Sequence, residues 1–263
     1  MSPRRMGSRG ATAESSSRCR ARGRRGWRAA VLRRGLAGIA LAYGICGPCP
    51  LAAQGTHDRL IDGSVHGPRV PVLLVPGWSD EAEQLAPLRA RFLAAGWADS
   101  TIAILSFDDP VGSNRVHART LGLAVETLRR ATGADRVDVV AHSMGGLALR
   151  HFLHHGGGSD VRRVVFLATP HRGTYSAYLA WGEGGREMSP GSLFLLAMQT
   201  WDPLPEGVEG ITVRTPVDLH VLPPESATLP PLPDLEVCCP THAGLLDHEE
   251  TFRVIEAFLI RPR

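Results

Sequence analysis

Ser143 stands in the run Ala141-His142-Ser143-Met144-Gly145-Gly146. Small residues flank the serine, an apolar strand-like run precedes it and a helix-like run follows. That pattern describes a tight strand-to-helix turn that lifts a hydroxyl above the end of a sheet. A serine that merely capped a helix would not need small neighbours on both sides. Its alcohol is a weak nucleophile at neutral pH and needs a base within hydrogen-bond reach. The chemistry of such a pair is acyl transfer through a covalent intermediate, helped by the positive end of the helix that begins beside the hydroxyl.

The chain has 11 histidines. His57 and His66 precede the regular elements, and His151, His154 and His155 ride the helix after Ser143. His142 adjoins the serine but faces differently, as a residue that shapes the turn. His171 follows the fourth strand and reaches the same rim. His242 follows the sixth strand and opens the last helix, where the base of a serine–acid–histidine chain order belongs, and it is the favoured base. The acid that orients it should follow a strand between the two. Asp218, after the fifth strand in Thr215-Pro216-Val217-Asp218-Leu219-His220, fits. Asp202 precedes that strand, Asp234 begins the next one on the wrong rim, and Asp247 lies in the last helix. The oxyanion needs preorganised donors, each worth roughly 10²–10³-fold in rate. The backbone N–H groups of Met144 and of Trp78, in the loop Val75-Pro76-Gly77-Trp78, are the candidates.

Elements that would place these groups alternate along the chain. Apolar runs at Val70–Val75, Thr101–Phe107, Arg136–Ala141, Val161–Ala168, Gly210–Arg214 and Leu235–Cys239 read as strands. Their two-sided hydrophobicity suits strands of a buried parallel sheet. Helices are expected at Ala82–Ala95, Val116–Ala131, Met144–His155 and Gly244–Leu259. Residues 169–209, rich in Gly, Pro and Ser, show no clear period and read as a variable cap or substrate loop. Its apolar residues, among them Trp181, Phe194 and Leu195, are expected to line an acyl pocket or form a lid, the alternative being the ordinary packing of a long loop. The fold class is therefore α/β, doubly wound, with about six mostly parallel strands and helices on both faces; sites in such sheets lie at the carboxyl ends of strands.

The stretches L-L-V-P-G-W, V-D-V-V-A-H-S-M-G-G, L-A-T-P-H-R-G-T and T-H-A-G-L-L resemble the small bacterial lipases of the α/β-hydrolase superfamily. The likeness covers about residues 70–260 and is strong to the minimal lidless lipases, whose serine turn also begins with Ala. It implies an α/β-hydrolase fold and a carboxylic ester hydrolase. Its triad would be Ser143, Asp218 and His242, with Trp78 and Met144 as oxyanion donors. The family usually has His where Pro76 stands, and residues 169–209 are longer than in its smallest members. Alternatives are an acyltransferase or amidase using the same residues, or a binding protein on the same scaffold. No cofactor and no metal is expected, and no His/Asp cluster has zinc-ligand spacing.

Charge is segregated. The 29 basic residues are all Arg, against 26 Asp and Glu; residues 1–34 hold 11 Arg and one acid, leaving 18 against 25, a net −7, for residues 35–263. The basic excess belongs to the N-terminal segment, so no nucleic-acid partner is expected. Residues 1–53 have the shape of an export signal: Arg33-Arg34 in a twin-arginine-like setting, an apolar stretch Gly35–Cys46, and small residues before a cleavage point near Ala53. Residues 54–69 read as a linker and 70–263 as the catalytic domain. The expected protein is an exported monomer that meets a small-molecule or lipid ester and touches a membrane or lipid interface transiently. Cys19, Cys46 and Cys49 fall in the leader. Cys238 and Cys239 would either form a strained vicinal disulfide or sit as small apolar residues on a buried strand.

Overall fold

Strand and helix alternate from Val72 to Ile260 in a computed structural model of the chain, which describes residues 69–262. The leader, its three cysteines and the linker up to residue 68 lie outside the described residues. The elements are β1 (Val72–Val75), α1 (Ala86–Ala94), β2 (Ile102–Ile104), α2 (Asn114–Thr132), β3 (Val137–His142), α3 (Gly145–His154) and β4 (Val161–Leu167). They continue with α4 (Gly182–Met188), α5 (Leu193–Met198), β5 (Glu209–Arg214), β6 (Asp234–Glu236) and α6 (Glu249–Ile260), with short 3-10 turns between.

The six strands form one sheet in the order β2-β1-β3-β4-β5-β6, and every neighbouring pair is parallel. Alternation along the strands explains the two layers of helices. Val72 and Leu74 of β1 face one side, with Leu88 and Phe92 of α1 and Ile255 and Phe258 of α6. Leu73 and Val75 face the other, with Leu121 and Val125 of α2 and Leu149 of α3. Each such buried side chain contributes about 1.5–3 kcal/mol. α2 starts at Ser113, whose hydroxyl accepts from the Arg115 N–H at 3.2 Å, and stops at Gly133 with φ 68°. Only a residue without Cβ adopts that left-handed stop at no cost.

Strand order reverses between β1 and β3: the chain after β1 turns to one face and the chain after β3 to the other. Such a switch point leaves a crevice at the carboxyl ends of the strands, and Trp78 and Ser143 sit there. Several expected boundaries move. β2 stops at Ile104, and β6 covers Asp234–Glu236 rather than Leu235–Cys239. The buried-strand placement of the cysteines is corrected: Cys238 and Cys239 lie beyond β6, exposed, and joined to each other by a disulfide. The last helix breaks in two, a 3-10 turn at Ala243–Leu246 and then α6 from Glu249. Residues 169–209 hold a 3-10 turn, Tyr175–Leu179, as well as α4 and α5.

Candidate active site

Ser143 has φ 51°, a conformation that a residue with a Cβ adopts only under constraint. The constraint is visible. The Ser143 N–H donates to the Leu167 carbonyl at 2.8 Å, tying the turn to the end of β4, while its own carbonyl accepts from the Gly146 N–H at 3.1 Å. A Cβ on Gly145 would stand 2.3 Å from the Pro76 carbonyl oxygen, and one on Gly77 would stand 2.9 Å from the Ser143 Cβ. The small residues of the serine turn and of the loop after β1 are thus what lets the two segments touch.

His242 follows β6 and begins the 3-10 turn at Ala243. Its Nδ1 donates to Asp218 Oδ2 at 2.7 Å, and both side chains are buried. The other carboxylate oxygen, Oδ1, accepts from the backbone N–H groups of His220 (2.7 Å) and Val221 (2.8 Å), which fixes the acid. Burial raises the Asp218 pKa, but the hydrogen bonds from His242 and from these two N–H groups outweigh it and hold the carboxyl below its ordinary value. Burial lowers the His242 pKa, and the nearby His142 adds to that; the Asp218 contact opposes both without overcoming them. The imidazole is therefore neutral at neutral pH with its proton on Nδ1, leaving Nε2 as the basic atom.

Ser143 and His242 line one cavity of about 500 Å³ together with Trp78, Thr174, Met188 and Val221. Among the described residues no hydrogen bond joins the Ser143 hydroxyl to the imidazole; such contacts are often long before substrate binds. Neither is an internal acceptor found there for the backbone N–H of Trp78 or of Met144, which is the condition an oxyanion donor must meet.

One residue of the site, Asp80, escaped the sequence. Asp80 Oδ2 accepts from the Gly77 N–H (3.0 Å) and from His142 Nδ1 (3.1 Å). Burial raises the Asp80 pKa, yet the His142 and Gly77 contacts bring it below the ordinary value. His142 Nε2 lies 3.4 Å from the His242 carbonyl oxygen, with the two rings 4.6 Å apart. Asp80 thus ties the loop after β1, the serine turn and the histidine loop together. Its only sequence signal was a carboxylate three residues after a Pro-Gly pair. His171 is 1% exposed, packed edge-on to Phe166 and without a partner on either ring nitrogen, so it is a core residue.

Of the residues expected in the acyl pocket, Trp181 lines the cavity. Its ring meets Trp78 edge-on at 4.5 Å, and its carbonyl accepts from Trp78 Nε1 at 3.1 Å. The expectation is corrected for Phe194 and Leu195, which are buried against Met144, Leu147 and Met198 beneath the loop. The apolar side of α5 that they form packs inward, while Leu193 and Leu196 face out.

The model of a lipase family, "Lipase (class 2)", matches residues 69–181. Among solved structures, the mature lipase BlEst2 of Bacillus licheniformis superposes with TM-score 0.65 at 17% identity, covering 74% of this chain and 93% of that one. Lipase B of Aspergillus fumigatus gives TM-score 0.64 at 17% identity over 73% of this chain; the match spans about half, 53%, of the fungal chain. The ydeN gene product of B. subtilis gives TM-score 0.53 at 18% identity over 73% of this chain and all of that one. The six-stranded parallel sheet with helices on both faces is the α/β-hydrolase fold, and the chain is similar to small lipase-like members of it.

Proposed function

We propose that the protein is a serine hydrolase that cleaves carboxylic esters, lipid esters among them, through an acyl-enzyme on Ser143. Support comes from a single arrangement. A serine in the left-handed conformation on a strand-to-helix turn opens onto the same cavity as a neutral histidine held by a buried carboxylate. Substrate binding brings the Ser143 hydroxyl into contact with His242 Nε2. The oxygen attacks the ester carbonyl as Nε2 takes its proton, and the charge that forms on the imidazole is met by Asp218. The carbonyl oxygen, now negative, is received by the backbone N–H groups of Met144 and Trp78. The intermediate collapses as the alcohol leaves with the proton from Nε2. Water then repeats the sequence on the acyl-serine, freeing the acid and restoring the hydroxyl.

An apolar substrate fits the rim of the cavity. Leu179 (89% exposed) and Trp181 (63%) line it, and Tyr175, Tyr178 and Leu219 stand exposed nearby in the chain. Large apolar side chains left in water at a mouth suit an acyl chain or a lipid surface. The related structures named as lipases point the same way. With the Arg-rich leader, this favours an exported protein that touches lipid interfaces in passing; a monomer is the state we propose for it.

A series of p-nitrophenyl esters from acetyl to palmitoyl, with and without added alcohol, tests the reading. Release of p-nitrophenol with an optimum in the series is expected. Faster release with added alcohol, accompanied by a new ester, would identify a transferase instead. Full inactivity across the series would remove the proposal.

A further inference from the structure

The fold brings together a group of ligands that the sequence spacing did not show. Asp218, His220 and His242 each present one donor atom, and these atoms all lie within 4.8 Å of one another. Asp218 Oδ2 and His242 Nδ1 are already 2.7 Å apart. His220 completes the group from the open side: its ring stacks at 30° on that of His242, centroids 4.9 Å apart, and lines the cavity. Its main chain is anchored, the N–H on Asp218 Oδ1 and the carbonyl on the Thr174 hydroxyl at 2.8 Å. The exposed imidazole takes no part in these main-chain contacts.

We propose that Asp218, His220 and His242 form an inhibitory site for a divalent transition metal of the zinc class. The proposal rests on the reading of His242 as the base. Two imidazoles and a carboxylate are a donor set that zinc takes, with the fourth tetrahedral position left to water from the cavity. Bonds of about 2.0–2.2 Å hold tetrahedral ligands about 3.4 Å apart, so closing the site asks the His220 ring to swing inward by roughly an ångström and the Asp218–His242 pair to open from its 2.7 Å contact. The carboxylate offsets half the charge of the ion. Whichever nitrogen of His242 the metal takes, hydrolysis stops. At Nδ1 it replaces the proton shared with Asp218, and at Nε2 it occupies the lone pair that must accept the serine proton. The metal is thus a reversible brake on the enzyme and no part of its reaction.

The experiment uses the full chain and zinc chloride alone, followed by calorimetry and by hydrolysis of p-nitrophenyl butyrate. One zinc is expected to bind at micromolar concentration, to abolish hydrolysis, and to be reversed by EDTA. His220→Ala and the polar His220→Gln should each weaken binding and raise the half-inhibitory zinc concentration by at least about tenfold. Each variant is read as its own ratio of activity without and with zinc. His155→Ala, which breaks a close histidine pair away from this cavity (His151 and His155, rings 3.9 Å apart), should change neither. Ser143→Ala should bind zinc like the parent although it hydrolyses nothing. Zinc binding that depends on His220 in a chain hydrolysing no ester would support the site while removing the hydrolase reading. Active hydrolysis indifferent to zinc, or inhibition unchanged in both His220 variants, would overturn the proposal.

Discussion

At the scale of single residues, the contact between His242 Nδ1 and Asp218 Oδ2 would, in the proposed mechanism, set both the tautomer of the base and the fate of the charge that forms on it. Asp218→Asn keeps the shape but offers an uncharged amide, so kcat should fall roughly 10⁴-fold, the loss seen when a triad acid of this kind is neutralised. The proposed mechanism needs the neutral imidazole, and burial keeps the His242 pKa below 6.5. Activity should therefore be full above pH 6.5 and fall only as pH drops through the lowered value. A pH profile of kcat/KM reads this limb, and an acid midpoint above 6.5 would contradict the assignment. Asp80 acts through others, as a positioning residue: it fixes the Gly77 N–H beside Trp78 and the ring of His142. Asp80→Ala should lower kcat by about one oxyanion donor, roughly 10²-fold, with KM little changed; a shift in KM alone would indicate a role in substrate binding. The places of Ser143 and Asp218 in the fold were legible because their signals are local, a turn with small neighbours and an aspartate after a strand. Asp80 was not, since its partner lies 62 residues away.

At the scale of elements, the turn after β3 and the loop after β1 share a contact that only glycine permits. Gly145→Ala would set a Cβ 2.3 Å from the Pro76 carbonyl oxygen. Forcing atoms into such a place costs about 1–3 kcal/mol, readable as a lower urea midpoint, and it should lower kcat as well by moving Trp78. Unchanged stability would show that the loop yields freely. Glu187 binds α4 to the start of α2: its buried carboxylate accepts from the Asn114 N–H (2.6 Å), the Asn114 Nδ2 (2.9 Å) and the Ser113 hydroxyl (2.9 Å). The interior strands were readable because both of their faces are buried, which leaves unbroken apolar runs such as V-L-L-V and V-V-F-L. β6 was misplaced because its residues are exposed, so its sequence carries no such run. The helices of residues 169–209 are six or seven residues long, too short for a period to show. The signal that existed was a cap: the Ser192 hydroxyl accepts from the Leu195 N–H at 3.2 Å. Reading it would have placed Phe194 and Leu195 on a packed helix rather than in a pocket wall.

For the whole molecule, buried neutral histidines tie stability to pH. His171 is fully enclosed, and burial, aided by the charges of Arg150 and Arg172, holds its pKa well below 6.5. The unfolded chain takes up a proton there below about pH 6.5 while the folded chain does not, so this stability is present above pH 6.5 and lost as pH falls. The loss is up to about 1.4 kcal/mol per pH unit for one such group. His171→Phe should flatten the fall of the urea midpoint on going from pH 6.5 to about 5; an equally steep fall would assign the acid sensitivity elsewhere. That the strands would pair parallel was foreseeable from their alternation with helices, though their order in the sheet was not. The convergence of residues 80, 142, 218 and 242 on one crevice follows from the reversal between β1 and β3, which no local pattern announces. All of it serves one claim, that the hydroxyl at position 143 becomes acylated. Rapid acid quench of the full chain turning over a p-nitrophenyl ester, followed by peptide mass spectrometry, tests that directly. The acyl mass should appear on the peptide holding Ser143 and be absent from Ser143→Ala, which should no longer turn over. Turnover that persists in Ser143→Ala, or an acyl group carried on another residue, would contradict the account.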